Sequence, residues 1–360
     1  MKKKIIFLIV VLLILYLLLG DKVALYFDAV NIINTEINSS TLIAPVLETK
    51  IDPNKNLVYC STTQMAWNSL HNDIIKETIE IENQPWFVEK LNQYVNLPPQ
   101  ISNDSFISKA GFGKDDIISK IKEELILKFQ QVPTAIKFPV LKNDDILTFS
   151  YLFKVLDFKE KYGTFYTSMK FNNKETEVKA FGFKGLRNQE DGAELKKQIK
   201  LLYHYKDGFI FELLTKSSTD EIILSTLKPQ DTLLDTYNKI NFLIDDHKNP
   251  LSRKKGYDYI QTIIVPKINF EIQHNFNELI DKHFKNSKFN HFFISKAFQY
   301  IKFNLNEKGA RIESFSIMRM EMGDPLKLII NGPFIIYIKD KCSTYPYFMA
   351  YIGNDDLLEK

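Results

Sequence analysis

Apolar positions along this chain fall into two rhythms, and each predicts a different kind of element. Met65, Leu70, Ile74 and Ile79 recur at helical spacing and predict a helix over residues 64–81. Residues 85–95 and 115–129 repeat the pattern; Asp115 and Asp116 give the second of these an acidic first turn. Residues 233–244 and 277–284 read as two more helices. The period shifts to two from Leu147, where Phe149, Tyr151, Phe153 and Val155 alternate across a strand. Residues 57–59 make a short buried strand. Residues 199–205 and 209–214, joined by Lys206-Asp207-Gly208, make a hairpin. A long strand over residues 259–272 is interrupted by Pro266, which predicts an edge or a bulge there. Three strand-like runs close the chain, at residues 296–305, 326–338 and 347–352. Helices and strands interleave without strict βαβ alternation, so the class is α+β. No repeat, low-complexity run or linker divides residues 56–360, which form the body behind an extension at residues 21–55.

The first twenty residues stand apart. Lys2, Lys3 and Lys4 precede an apolar run of 15 residues from Ile5 to Leu19. That length lies between a signal-peptide core and the ~20 residues of a spanning helix. Gly20-Asp21-Lys22 is a poor cleavage site, so residues 1–20 are a signal peptide or an uncleaved anchor that holds residues 5–19 in the membrane. Either way, the preceding lysines place the body outside the cytoplasm.

The chain's 360 residues, 45% hydrophobic and 25% charged, are globular in composition, with 28 Phe and 17 Tyr to build a large core. Lysine and arginine total 47 against 44 acids, a net charge of +3 that the three N-terminal lysines account for. A neutral body with few arginines argues against nucleic acid as a partner. Cys60 and Cys342 are the only cysteines. Export would permit a bridge between them; two buried thiols are the simpler reading.

Catalytic chemistry is thin. None of the six histidines forms a metal-ligand pair at helical or loop spacing, and no nucleophile elbow occurs. Gly111-Phe112-Gly113-Lys114 lacks phosphate-loop spacing and reads as the start of a helix. The chain is therefore read as neither an enzyme nor a holder of a metal or cofactor, and a monomer is expected.

Ordered words in the sequence resemble the serpins. Ser295-Lys296-Ala297-Phe298-Gln299 and Phe303-Asn304-Leu305-Asn306-Glu307-Lys308-Gly309 are similar to the family's central strand leading into the hinge of its reactive loop. Asn331-Gly332-Pro333-Phe334 and Tyr347-Phe348-Met349-Ala350 resemble its two closing strands. Val265-Pro266-Lys267 with Phe276-Asn277-Glu278-Leu279, Asn56-Leu57-Val58-Tyr59-Cys60, and Tyr151-Leu152-Phe153 with Phe158 fall in family order as well. The resemblance implies three β-sheets, about eight or nine helices and an exposed loop offered to a serine or cysteine peptidase. In inhibitory members the cleaved loop enters the central sheet.

Carried over residue by residue, the family's shutter falls on Cys60, Thr63, Ser150 and Gln299, and Phe158 replaces a tryptophan at the breach. The hinge falls on Glu307, Gly309, Ala310 and Ile312. Ile312 is bulky where inhibitory members keep alanine. The scissile bond falls at Met322–Gly323 or Gly323–Asp324. From Gly309 to Gly323 the charges occupy alternate positions: Arg311, Glu313, Arg319 and Glu321 share one face, and Ala310, Ile312, Ser314, Ser316, Met318, Met320 and Met322 the other. Two functions remain open: a peptidase inhibitor, or a non-inhibitory binding module or scaffold at the membrane.

Overall fold

The computed structural model describes residues 40–95, 101–134, 136–172, 177–184, 190–247, 260–308 and 326–360. By internal contacts the chain divides into two units, Met1–Thr35 and Glu36–Lys360, and the described residues belong to the second. The segment read as signal or anchor lies outside them. Among the described residues, no helix is long and apolar enough to cross a membrane.

The architecture is α+β. Strands β1 (Thr41–Ala44), β2 (Asn56–Cys60), β3 (Phe106–Phe112), β4 (Ile146–Leu152) and β5 (Gly163–Lys170) are followed by β6 (Glu177–Lys184), β7 (Ile199–Tyr205), β8 (Gly208–Leu213), β9 (Asp220–Ser225) and β10 (Ile260–Pro266). The remaining strands are β11 (Ile268–Asn275), β12 (Phe298–Leu305), β13 (Leu326–Ile329), β14 (Phe334–Asp340) and β15 (Phe348–Ile352). The α-helices are α1 (Thr62–Ser69), α2 (Trp86–Gln93), α3 (Ile117–Phe129), α4 (Glu190–Lys197) and α5 (Leu233–His247). Among the described residues these five, with a π-helical segment at Leu70–Ile75 and short 3-10 turns, stand where eight or nine helices are expected.

A seven-stranded sheet in the order β1-β2-β15-β14-β9-β8-β7 forms the base. Its central strands read as unbroken apolar runs because both of their faces are covered. Ile335 and Tyr337 of β14 meet Tyr237 and Ile240 of α5 in one cluster, while Phe334, Ile336 and Ile338 turn into the main core. At its edge, the buried Asn56 amide donates to Thr41 Oγ1 and to Asn354 Oδ1 (2.6 Å), tying β1 and β2 to the chain's end.

A second sheet has four strands in the order β13-β10-β6-β5. Pro266 marks neither an edge nor a bulge within one strand. It ends β10, Lys267 turns the chain, and β11 begins in a different sheet. The rest of the sheet structure is two separate two-stranded ladders, β11-β12 and β3-β4, so the third expected sheet is divided among the described residues.

Two helices expected from periodicity end early. Lys76 adopts a left-handed backbone (φ 59°) after the π-helical segment, and the β-branched Thr78, Ile79 and Ile81 run extended. Their backbone is taken by residues 283–286: Glu82 N donates to His283 O, and Lys285 N to Glu80 O. Residues 277–284 form only a 3-10 turn at Asn277–Leu279 because residues 281–284 pair with residues 292–294 instead.

Gly182 on β6 has φ +142°, and a Cβ there would overlap the backbone carbonyl of Ile263 on the neighbouring β10. We expect Gly182→Ala to destabilise the body by about 3 kcal/mol, combining overpacking with a backbone that L-residues resist. Urea unfolding monitored by circular dichroism measures this, and a midpoint within error of the parent contradicts it.

Candidate functional site

The two short ladders rest on one helix. In β3-β4, Ser108 stands opposite Ser150, and their neighbours Ile107, Lys109, Phe149 and Tyr151 point the other way. That other face packs on α3, through Ile107 against Ile117, Ile121 and Leu125. Gly111 permits this close approach, since a Cβ there would lie 2.8 Å from Ile117 Cδ1.

The serine face turns to α1. Ser108 Oγ donates to Met65 O (2.8 Å), and Thr148 Oγ1 donates to Ala66 O (2.6 Å). Ser69 and Ser108 share a further hydroxyl bond of 2.7 Å. Side chains that bond α1's carbonyls compete with its own ladder. Directly after these bonds the helix widens into the π-helical segment.

Strand β12 reaches the same helix at its first turn. Gln299, Ile301 and Leu305 are its buried positions, and Phe298, Lys302 and Asn304 are exposed. Gln299 Nε2 donates to Thr62 Oγ1 (2.8 Å) and to Cys60 O (2.9 Å). Thr62 in turn contacts Cys60 Sγ at 3.7 Å. Burial pushes the Cys60 thiol up, against the lowering effect of Thr62 and Ser61, so it sits as a neutral thiol. Neither cysteine is bridged: Cys60 is buried, and Cys342 is exposed rather than buried.

Gln299 is thus joined to Cys60 through Thr62, and no side-chain bond of Thr63 enters this group among the described residues. Ser150 lies on β4, but its hydroxyl has no partner there. Ser61 Oγ and Gln299 Oε1 are likewise buried without a partner among the described residues. A buried polar group without a partner costs stability.

Neither β4 nor β12 has a second strand neighbour among the described residues, so each presents one unbonded edge. The strands are neighbours nonetheless. The Tyr300 hydroxyl is raised above its ordinary range first by burial, then by its bond to Glu271 on β11, and by Tyr151 of β4.

At the end of β12, Glu307 holds the chain before residues 309–325. Its carboxylate pairs with Lys267 Nζ at 2.5 Å, with Lys161 at 3.8 Å, and its carbonyl accepts from Tyr162 N. Burial alone would raise the Glu307 carboxyl, but the Lys267 bond and the two ammonium charges hold it below its ordinary range. Phe158 packs edge-on against Tyr162 at 5.0 Å and at a tilt against Phe181 at 6.0 Å, closing this end. Gly309, Ala310, Ile312, Met322, Gly323 and Asp324 lie outside the described residues.

Sequence reading did not single out Thr62, Ser108 or Lys267 as site residues. For Lys267 a signal existed: it is the only charge between Ile260 and Phe270, and an isolated charge in an apolar run needs a buried partner. Among the described residues no cluster of three or more His, Cys, Asp or Glu is arranged to hold a metal.

The chain matches no protein-family model and no curated protein. In structure it is similar to uncleaved ovalbumin, at 10% identity over 83% of this chain and 93% of that one, with a TM-score of 0.45. It is similar also to thyroxine-binding globulin in complex with thyroxine, at 11% identity over 83% and 93%, TM-score 0.46. Mouse protein-Z dependent protease inhibitor stands alongside them, at 11% identity over 83% and 91%, TM-score 0.46. All three are serpins.

Because the Glu307 carboxyl is held lower in the folded chain than in the unfolded one, its stabilisation is complete above the ordinary carboxylate range and lost as pH falls through the lowered value. At pH 7, Glu307→Gln leaves Lys267 buried without its counter-charge, at a cost of about 3–5 kcal/mol. Between pH 5 and pH 3 the parent should lose more melting temperature than Glu307→Gln does. Parallel acid melting curves for the two proteins would show the pair to be unimportant.

Proposed function

We propose that this chain is a serpin-like protein that offers residues 309–325 to a serine or cysteine peptidase and takes the cut segment up as a strand between β4 and β12. One observation carries the reading: two strands resting on the same helix each keep an edge with no strand partner among the described residues. An entering strand supplies the backbone donors and acceptors that those edges lack.

The sequence of the segment supports the same reading. Charges from Gly309 to Gly323 occupy alternate positions, so one face enters the interior without an unpaired charge. The polar seat on α1 supports it too. Each hydroxyl bond is worth only about 0.5–1.5 kcal/mol net and is readily exchanged as strands separate. The body acts outside the cytoplasm, behind residues 5–19 as signal or anchor, where its peptidase partners are met. The bulk of Ile312 favours a second reading, a non-inhibitory scaffold, because a β-branched side chain hinders the first step of insertion.

Mixing residues 21–360 with a panel of serine and cysteine peptidases separates the two. An adduct stable in SDS is expected for an inhibitor; cleavage without an adduct indicates a substrate or scaffold. After cleavage near Met322 the melting temperature should rise, because a strand has been added, and Ile312→Ala should speed that rise. An unchanged midpoint in a chain shown to be cut removes the insertion reading altogether.

A further inference from the structure

A cleft of about 440 Å³ lies between α2 and residues 78–81. We propose that it binds a neutral pyranose glycan. Its lining includes Thr78, Glu80, Gln84, Glu89, Gln93 and Lys285. Carboxylates accept two hydrogen bonds side by side, and primary amides both donate and accept. Vicinal sugar hydroxyls, which also do both, match this set. Two acids against one lysine disfavour sulfated or phosphorylated ligands.

An aromatic side chain stands beside the lining rather than in it. Trp86 opens α2 and is 54% exposed, unusual for so large an apolar side chain. Positions 86, 89 and 93 fall on one face of the helix, so Trp86 shares the face of Glu89 and Gln93. Its indole stands edge-on to the buried Phe87, with ring centroids 6.1 Å apart and planes at 86°. The apolar face of a pyranose ring can stack on that indole while its hydroxyls meet the polar lining.

The floor is held rigidly, so binding need not order it. Ile79 and Ile81 are buried. Asn92 donates to Ile79 O and accepts from the indole of Trp67, both at 2.9 Å. Asn286 accepts from Glu80 N at 3.0 Å and donates to Thr78 O at 2.9 Å. Two side-chain amides, the half-buried Asn92 and the buried Asn286, are committed to this short segment, while Gln84 and Gln93 are exposed, Gln93 bonding only within its own helix to Glu89 and Lys90. This proposal does not depend on the peptidase reading.

The chain has two tryptophans, and Trp67 is buried, so a ligand at Trp86 changes the exposed component of the emission. The test titrates the full chain with hexaoses of glucose (β-1,4 and β-1,3), mannose and N-acetylglucosamine, with a heparin hexasaccharide as the charged control. Calorimetry runs in parallel. A saturable shift and heat with at least one neutral hexaose is expected, weakened about tenfold or more in Trp86→Ala, about 1.4 kcal/mol by the usual conversion. Glu80→Ala with Gln93→Ala should weaken it likewise, and Trp86→Phe should retain it. All these positions are exposed, and unchanged melting curves verify that each variant is folded. The proposal fails if no neutral hexaose gives heat, if Trp86→Ala binds as tightly as the parent, or if the heparin fragment binds best.

Discussion

Helix α1 accepts hydrogen bonds from strands that do not bond to each other, and the arrangement of the body follows from that. Met65 and Ala66 carbonyls receive Ser108 and Thr148 from one ladder, while Thr62 receives Gln299 from the other. Apolar side chains interlocked at such a contact would tie each strand to one position by shape, and shifting them would open cavities. Hydroxyl and amide bonds to a helix impose a direction but can be exchanged one for another. The seat is therefore firm without being a lock. Ser61, Ser150 and Gln299 each have a buried polar atom with no partner among the described residues.

Firm attachment is found at the ends of the ladders instead. Beyond β12, Glu307 pairs with Lys267, whose backbone also accepts from Glu359 and donates to Lys179, so the pair joins the ladder to the four-stranded sheet and the chain's end. Beyond β4, Lys154 pairs with the buried Asp220 at 2.8 Å; Asp220 also accepts from the Tyr347 hydroxyl, and Tyr347 O receives Ser61 N. Burial would raise the Asp220 carboxyl, but Lys154, Ser217 and Tyr347 together hold it below its ordinary range. Both charged clamps anchor strand ends to sheets whose cores are apolar on two sides. The ends are fixed while the middle rests on exchangeable bonds, and an unbonded edge can be tolerated only under such a division.

Particular residues show how far the sequence could be read. The run Phe334–Ile338 is apolar at every position, and covering on both faces made it a central strand as its composition indicates. Gln299 was legible as a polar residue in a strand word. Its partner was not: Thr62 and Thr63 are chemically alike, and which one faces β12 depends on where α1 begins. Gly111 lay in a stretch that reads as the start of a helix, yet it belongs to β3, because pairing with β4 and the close approach of α3 outweigh the weak strand preference of Ala110 and Gly111. Residues 77–81 carry helical spacing but run extended, since residues 283–286 take their backbone bonds. Local period loses wherever a distant segment supplies the hydrogen bonds.

By itself the sequence determined the α+β class, the apolar strands of the large sheet, the hairpin at Gly208 and the sorting of charge between Gly309 and Gly323. Each follows from side-chain period, turn chemistry or the cost of burying charge, and all act over a few residues. Tertiary structure alone decided that Pro266 ends one sheet and Lys267 begins the passage to another, that the ladders stay apart over α1, and that Glu89 and Gln93 of α2 share a cleft with residues 78–81. Those outcomes join positions tens to hundreds of residues apart. Their energies arise from contacts and backbone bonds that exist only when the whole core has closed, so no local pattern encodes them.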